Sequence, residues 1–150
     1  MKKLIMLVLI CPTLFFYNVH AEAGKLTVTA GNNNFKKAYF AGGCFWCMEE
    51  SFDKVKGVIK STSGYSGGSL KNPSYEDVIY KDTGHVETIE VIYDSNETSF
   101  KELLNIFWKN IDPFDKYGQF CDKGKSYRSV AFFKDKKEKR IINKAIKELE

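Results

Sequence analysis

The chain has 150 residues, a length that suits one domain of ordinary size and leaves no room for a second large one. Its 23 basic and 19 acidic residues give a formal net charge of +4, and the two signs are interleaved along the chain. This pattern argues against a nucleic-acid-binding surface, because such surfaces concentrate basic residues on one face.

The N-terminal residues have the pattern of an export signal. Two lysines precede an apolar run over residues 4–16, and Ala21 ends a short segment that suits cleavage. The run is shorter than the roughly 20 residues that a membrane-spanning helix needs. We therefore predict a signal peptide over residues 1–21, a flexible lead-in over 22–34 and an exported protein, either periplasmic or secreted.

The cysteine count favours redox chemistry. Of the four cysteines, Cys11 lies in the predicted signal. The three that remain, Cys44, Cys47 and Cys121, cannot all pair within one exported chain, so at least one thiol is free or exchanging. A zinc site would need all three together with His85, the one histidine outside the signal. A thiol-based or zinc-stabilised binding module is the alternative to an enzyme.

The first elements of the domain, which is predicted over residues 35–150, form a strand and a helix. Residues 37–41 have the apolar and aromatic composition of a buried strand, and two glycines then allow a tight turn. Apolar residues recur at helical spacing over 44–55. Cys44 is therefore expected to open a helix.

The middle of the chain reads as two strands separated by a loop and a short helix. We predict a strand over residues 58–64, a glycine-rich loop over 64–73, whose glycines form turns, and a short helix that Ser74 caps. Residues 86–93 alternate between apolar and polar side chains, as a strand does. In that strand Glu87 shares a face with apolar residues.

The last third contains an amphipathic helix over residues 100–111, which a capping box precedes. A polar loop over 112–125, a strand over 127–133 and a helix that begins within 134–140 follow. Strands that alternate with helices in a chain of this length predict an α+β fold, a two-layer sandwich of helices on a small mixed sheet.

Residues 41–50, AGGCFWCMEE, carry the strongest chemical signal. A thiol at a helix N-terminus lies close to unpaired backbone N–H groups, which stabilise the thiolate and make Cys44 a candidate nucleophile. Cys47, three residues later, lies within the reach of a disulfide. The CxxC spacing alone also occurs in thioredoxin-like motifs and zinc sites, and a lone cysteine is often a buried apolar residue.

Five segments, in chain order, resemble the motif set of the peptide methionine sulfoxide reductase A family. They are GCFWC (43–47), GYSGG (64–68), NPSYEDV (72–78), TGHVE (83–87) and CDKGKSYRS (121–129). The resemblance implies an α/β-plait (ferredoxin-like) sandwich and reduction of the S epimer of methionine sulfoxide, free or in proteins. It implies no metal or organic cofactor.

The resemblance also implies roles for individual residues. It makes Cys44 the nucleophile and Glu87 the acid. Two phenols, Tyr75 and Tyr127, are implied to hydrogen-bond the sulfoxide oxygen. The S-methyl group is implied to lie against the aromatic rings of Phe45 and Trp46, and the substrate backbone to contact Asp122. Chemistry agrees for Glu87, because a sulfoxide oxygen needs a proton before it leaves, and a desolvated carboxyl group stays protonated. The strand pattern alone favours a solvated carboxylate there, and the match to the family reverses that preference. His85 is expected to have a supporting role.

Regeneration requires a second thiol. After oxygen transfer Cys44 becomes a sulfenic acid, which condenses with a nearby thiol. Cys47 is favoured by its spacing, and Cys121 is the alternative. Family members more often carry resolving cysteines in a C-terminal tail, which we expect this chain to lack after Glu150. The expected partners are oxidised proteins, free methionine sulfoxide and a thioredoxin-like dithiol, with no nucleic acid, and the expected state is a monomer.

Overall fold

A computed structural model of the chain describes residues 34–149. The predicted signal peptide and all but the last residue of the predicted lead-in lie outside the described residues. In chain order, the elements are strand β1 (Phe35–Ala41), helix α1 (Phe45–Asp53), strand β2 (Val58–Ser66), helix α2 (Tyr75–Tyr80), strand β3 (Val86–Asp94), helix α3 (Phe100–Lys109), strands β4 (Gly118–Gln119) and β5 (Asp122–Lys123), a 3-10 turn (Lys125–Tyr127), strand β6 (Val130–Ala131) and helix α4 (Lys136–Leu149). The fold is therefore α+β, as predicted.

Strands β2, β3, β1 and β6 form one sheet in that order, and β4 and β5 form a separate hairpin. Every neighbouring pair in the larger sheet is antiparallel, so the prediction of a mixed sheet is wrong. The helical crossover through α1 does make β1 and β2 run in the same direction. However, β3 lies between them and pairs with both in the opposite direction.

The core lies between one face of this sheet and the helices. Phe40 of β1 has no exposed surface, and its ring stacks on Phe52 of α1 at 5.3 Å and on Phe107 and Phe100 of α3 at 5.2 and 5.8 Å. Ile142 of α4 joins the same cluster. Helices α1 and α3 therefore pack on the same face of the sheet.

Strand β3 presents its apolar face to this core. Ile89, Val91 and Tyr93 are at most 2% exposed, and Glu87, which continues the same alternation, is also 2% exposed. Ile89 lies opposite Phe40 in the register with β1. The prediction that Glu87 shares the apolar face is confirmed.

The strand predicted over 127–133 is mostly absent. A 3-10 turn occupies Lys125–Tyr127, and only Val130–Ala131 pairs with β1. The pairing is short because it uses the last two residues of β1, where that strand ends. Similarly, the polar loop predicted over 112–125 contains the β4–β5 hairpin, whose strands are too short to produce a periodic pattern.

The C-terminal end of the second strand also differs from the prediction. Strand β2 continues from Gly64 to Ser66, because β3 extends far enough to pair with each residue of this segment. Assigning Gly64 to a turn was therefore wrong.

The predicted helix starts are confirmed. Ser74 caps α2 and forms a capping box with Asp77, and the Ser99 side chain accepts the Glu102 N–H at the start of α3. Helix α4 begins at Lys136, within the predicted range. None of the helices over residues 34–149 is long and apolar enough to span a bilayer.

Candidate active site

Cys44 lies at the start of α1. It is the N-cap residue, its side chain makes no capping hydrogen bond, and its carbonyl oxygen accepts the Met48 N–H at 3.2 Å. The free thiol is half-buried. It therefore lies at the helix end where backbone N–H groups point outward.

Glu87 reaches the same helix end from β3. Its Oε2 atom accepts the backbone N–H of Phe45, the first residue of α1, at 3.0 Å. Burial raises the pKa of the Glu87 carboxyl, and the negative charge of Asp122 adds to this effect, while the Phe45 hydrogen bond opposes it. A buried carboxyl group with a raised pKa is thus joined to the residue that follows Cys44, which suits an acid beside a nucleophile.

Cys47 and Asp122 share a cleft with Cys44. The cleft has a volume of about 320 Å³, and Gln119 and Phe120 also line it. Hydrogen bonding to the Cys44 sulfur raises the pKa of the exposed Cys47 thiol, and burial and the charge of Cys44 act in the same direction. Cys47 therefore retains its proton close to the sulfur atom of Cys44.

The two predicted phenols lie together. Tyr75 begins α2, and its phenol is within hydrogen-bonding reach of Tyr127, which ends the 3-10 turn. Burial raises the pKa of the Tyr127 phenol, to which this hydrogen bond and the charges of Glu87 and Asp122 also contribute. Tyr127 therefore stays protonated and can donate a hydrogen bond near Glu87.

Aromatic side chains surround this point. Phe45 is 7% exposed, Trp46 is 70% exposed, and their ring centroids are 5.5 Å apart. A third ring, Tyr65, lies 5.7 Å from Phe45. Sequence reasoning did not identify Tyr65. Tyr65 lies within GYSGG, one of the segments that resemble the family, but its pairing with Glu87 across β2 and β3 is visible only in the structure.

Cys121 occupies a different position. It is exposed in the two-residue connection between β4 and β5, beside Phe120, which has a φ of 49°. Its neighbours Phe120 and Asp122 line the cleft, whereas Cys44 and Cys47 are the cysteines in the cleft wall. The structure thus brings Cys47 rather than Cys121 next to Cys44.

Gln119 of the hairpin is tied to the residues after α3 and packs against Gly43 before α1. This buried side chain donates to the Asp112 carbonyl at 2.8 Å and accepts the Asp112 N–H at 2.6 Å. A Cβ atom at Gly43 would lie 2.7 Å from the Gln119 Cβ, and Gly43 has a φ of +85°. Glycine is therefore required directly before Cys44 for the hairpin to approach.

His85 fastens the loop that precedes α2. Its Nδ1 atom accepts the Gly68 N–H at 3.2 Å, and its Nε2 atom lies 2.9 Å from the Leu70 carbonyl oxygen. Since that oxygen can only accept, Nε2 carries the hydrogen of a neutral ring. These bonds tie the loop to the start of β3 and so help to place Tyr75.

Gly68→Ala is expected to destabilise the fold by about 1–3 kcal/mol, because an added Cβ overpacks this contact. The Cβ would lie 2.3 Å from the His85 ring and 2.5 Å from the Thr83 carbonyl oxygen. Urea unfolding measures the change. Gly64→Ala is the matched control, because nothing lies within 4 Å of its added Cβ. Equal losses in both variants would contradict the proposed contact.

Other features of the described residues do not form a comparable site. A cavity of about 590 Å³ lies between β3, α3 and α4, but its lining contains no cysteine or histidine. Over residues 34–149 no three side chains of the metal-binding types Cys, His, Asp and Glu cluster so as to hold an ion. The cysteines and the buried carboxyl group therefore define the candidate site.

Comparisons with known proteins identify the family of this chain. The family model described as peptide methionine sulfoxide reductase matches residues 36–150. Peptide methionine sulfoxide reductase MsrA of Ligilactobacillus salivarius is 48% identical over 112 residues, which cover 75% of this chain and 65% of that protein. The protein of the same name from Streptococcus pyogenes is 46% identical over 110 residues, which cover 73% of this chain and 65% of that protein. The chain thus spans just under two thirds of the length of these relatives.

Solved structures are similar as well. Methionine sulfoxide reductase A of Corynebacterium diphtheriae superimposes with a TM-score of 0.71 at 28% identity, covering 79% of this chain and 59% of that one. Mxr1 from Saccharomyces cerevisiae, in its reduced form, gives a TM-score of 0.68 at 27% identity, covering 79% and 72%. From the family match and the identity to these relatives it follows that this chain belongs to the peptide methionine sulfoxide reductase family.

Proposed function

We propose that this chain reduces the S epimer of methionine sulfoxide, free or within oxidised proteins, by thiol chemistry at Cys44. The observation that carries the proposal is the hydrogen bond from the Phe45 N–H to the buried Glu87 carboxyl, directly beside Cys44 at the start of α1. It joins an acid and a nucleophile at the same point in the molecule. Membership of the family supports the same substrate.

In the first step the Cys44 sulfur attacks the sulfur of the sulfoxide. Glu87 gives its proton to the sulfoxide oxygen, and the proton of the Cys44 thiol returns to Glu87. The bond between that oxygen and the methionine sulfur breaks, the oxygen bonds to the Cys44 sulfur as a hydroxyl group, and the transient bond between the two sulfurs breaks. Cys44 is oxidised to a sulfenic acid, while the sulfoxide is reduced to the thioether of methionine. Thiol and sulfoxide thus become sulfenic acid and thioether, with no atom left over.

Neighbouring side chains orient the substrate. Tyr127 and Tyr75 donate hydrogen bonds to the sulfoxide oxygen, a role that the proximity of the two phenols and the raised pKa of Tyr127 support. Phe45 and Trp46 provide apolar ring faces for the S-methyl group. Asp122, in the cleft wall, contacts the substrate backbone.

In the second step a thiol resolves the sulfenic acid. The Cys47 thiol attacks the Cys44 sulfur, water leaves, and a disulfide joins the two residues. The position of both cysteines in the wall of the same cleft supports Cys47 in this role. Cys121 would accept the disulfide afterwards, and an external thioredoxin-like dithiol would restore both thiols.

Cys47→Ser is expected to release about one equivalent of methionine per enzyme and then stall, because oxygen transfer needs only Cys44 while regeneration needs a second thiol. Mass spectrometry of the product, without reductant and with a thioredoxin-like dithiol, gives the count. If the variant turns over with that dithiol as fast as the unchanged protein, Cys121 is the resolving thiol and the role proposed for Cys47 is wrong.

The proposed function has a direct test. The purified domain is incubated with a methionine sulfoxide peptide and dithiothreitol, and the peptide loses one oxygen mass if the proposal is correct. Peptides of each sulfoxide epimer establish the stereochemistry. Absence of turnover together with stoichiometric bound zinc would reject the reductase and favour a zinc-stabilised binding module.

Two further proposals concern architecture and location. We propose an α/β-plait topology, which the strand order β2-β3-β1-β6 and the crossovers through α1 and α3 support. We also propose export through a signal peptide over residues 1–21, followed by a lead-in and the reductase domain from residue 35, on the sequence pattern described above. N-terminal sequencing of the protein made in cells tests cleavage after Ala21, and an intact N-terminus would contradict it.

A further inference from the structure

Tyr65 lies directly beside Glu87, and the reaction steps above give it no part. It is opposite Glu87 in the antiparallel register of β2 and β3. Residues opposite each other in such a pair project from the same face of the sheet, with their Cβ atoms roughly 4.5–5.5 Å apart. The Tyr65 side chain is therefore an immediate neighbour of the proposed acid.

The Tyr65 ring also packs against Phe45. The two ring centroids are 5.7 Å apart and the planes are tilted by 39°, and the Tyr65 side chain is partly buried against the core. Phe45 in turn donates its N–H to Glu87. Phe45 of α1 thus contacts the Tyr65 ring of β2 and the Glu87 carboxyl group of β3, while Tyr65 and Glu87 are register partners.

Water would change the protonation of Glu87. The residue is 2% exposed, and burial is the largest cause that raises the pKa of its carboxyl. A carboxyl group returns toward its usual pKa when water reaches it, because water stabilises the charged form. Any side chain that covers Glu87 therefore affects how far it stays protonated.

The groups that face Glu87 come from each surrounding element. They are Asp122 of β5, Tyr127 of the 3-10 turn and Tyr65 of β2, and Cys44 directly precedes Phe45 at the start of α1. Asp122 disfavours ionisation of Glu87 through its charge, and the Phe45 N–H favours it. Tyr65 interacts with Glu87 through charge, since burial and then the Glu87 charge raise the pKa of the Tyr65 phenol. The hydrogen bond that Glu87 accepts comes from Phe45, and the Tyr65 ring packs on the Phe45 ring beside it.

We propose that Tyr65 is a positioning residue whose ring, and not its hydroxyl group, shields the Glu87 carboxyl from water and holds Phe45 against the substrate methyl group. The inference deepens the proposed function and rests on it, because it assigns the shield of the proposed acid. It also assigns a role to the tyrosine of GYSGG, whereas the glycines of that segment affect the backbone conformation.

Infrared spectroscopy of the protonated carboxyl group provides the main test. The band of protonated Glu87 is identified by its loss in Glu87→Gln, and its intensity is followed with pH in the unchanged protein, Tyr65→Phe and Tyr65→Thr. Threonine suits a strand but removes the ring. We expect Tyr65→Thr to lower the titration midpoint by about one pH unit, because water reaches the carboxyl group. Tyr65→Phe is expected to restore the midpoint of the unchanged protein.

The reaction provides a second readout. Above the midpoint, a fall of about one pH unit leaves roughly tenfold fewer protonated Glu87 side chains, so single-turnover release of methionine by Tyr65→Thr should slow about tenfold. Tyr65→Phe should recover most of this rate. Circular dichroism checks folding, and if Tyr65→Thr does not fold, Tyr65→Leu replaces it, with the same direction of change expected.

Tyr80→Thr is the matched control, because Tyr80 is 81% exposed at the end of α2. The titration midpoint of Glu87 in Tyr80→Thr should equal the midpoint of Glu87 in the unchanged protein. The inference is overturned if the ring-removing variant keeps that midpoint, or if Tyr65→Phe lowers it as much as Tyr65→Thr. An unchanged protein that turns over no sulfoxide would reject the proposed function, while the infrared titration would still decide whether Tyr65 shields Glu87.

Discussion

Cys44→Ser is expected to abolish the release of methionine from a methionine sulfoxide peptide, even in a single turnover. A serine hydroxyl group does not ionise near neutral pH and cannot form the sulfenic acid that stores the transferred oxygen. The variant should nevertheless fold. Serine is a preferred N-cap residue, and the Cys44 side chain makes no capping hydrogen bond, so the change should leave α1 as stable or more stable.

The comparison with Cys121→Ser makes this result specific. That variant retains Cys44 and should release about one equivalent of methionine before any reductant is added. Mass spectrometry counts the product, and thermal unfolding shows whether each variant is folded. Product from Cys44→Ser at the level of Cys121→Ser would place the nucleophile elsewhere and end the proposed mechanism.

Glu87→Gln is expected to lower the single-turnover rate by roughly 10²–10⁴-fold, the range that general acid catalysis supplies. Glutamine keeps the shape of the side chain and an oxygen that can accept the Phe45 N–H, so the start of α1 should be preserved. It has no acidic proton to give to the sulfoxide oxygen. Stopped-time measurements of methionine release, compared with Glu90→Gln on the same strand, test the loss. A rate within a few-fold of the unchanged protein would show that Glu87 is not the acid.

The pH dependence of the same variant follows from the raised pKa of Glu87. Only protonated Glu87 can donate, so the rate of the unchanged protein should fall as pH rises through that raised pKa, and Glu87→Gln should lack this fall. Stability shows the same linkage. A carboxyl whose pKa is higher in the folded state contributes stability below its usual range and loses it as pH rises through the folded-state value. The free energy of unfolding of Glu87→Gln, relative to that of the unchanged protein, should therefore be greater at about pH 8 than at about pH 4.

Glu90→Gln should behave in the opposite way. The hydrogen bond from Tyr39, assisted by Lys37, holds the pKa of Glu90 below its usual range. This carboxylate contributes stability above the usual range and loses it as pH falls, so its replacement should cost stability at neutral pH. Urea midpoints at both pH values measure the two variants side by side. A shift of the same sign in both would contradict the assignment of Glu87 as the desolvated carboxyl group.

The sequence predicted the parts of the site that depend on local pattern. The helix start at Cys44 follows from paired glycines before an apolar period, and the alternation of β3 places Glu87 on the apolar face. Both signals come from residues close in sequence, where spacing determines which face a side chain occupies. The capping box at Ser74 is local in the same way. The burial of Glu87 was indicated only by the match to the family, since the strand pattern alone favours a solvated carboxylate.

Long-range pairing accounts for what the sequence did not predict. Tyr65 is adjacent to Glu87 only because β2 and β3 pair in one register, which neither strand specifies alone. The aromatic and β-branched residues of 127–133 have strand propensity, but the end of β1 at Ala41 limits their pairing to two residues. The sheet is antiparallel because β3 enters between β1 and β2, a choice of partner that periodicity does not encode.

The hydrogen bond between the Phe45 N–H and Glu87 also restricts how this protein can be engineered or can evolve. Proline is over-represented at the first position of a helix, because its ring fixes φ near the helical value. The amide hydrogen that proline lacks usually has no partner at this position. Consensus or rigidifying design would therefore suggest proline at position 45. Here the amide hydrogen of Phe45 is hydrogen-bonded to Glu87. A proline at position 45 that stabilised the helix would therefore remove the hydrogen bond that positions the acid.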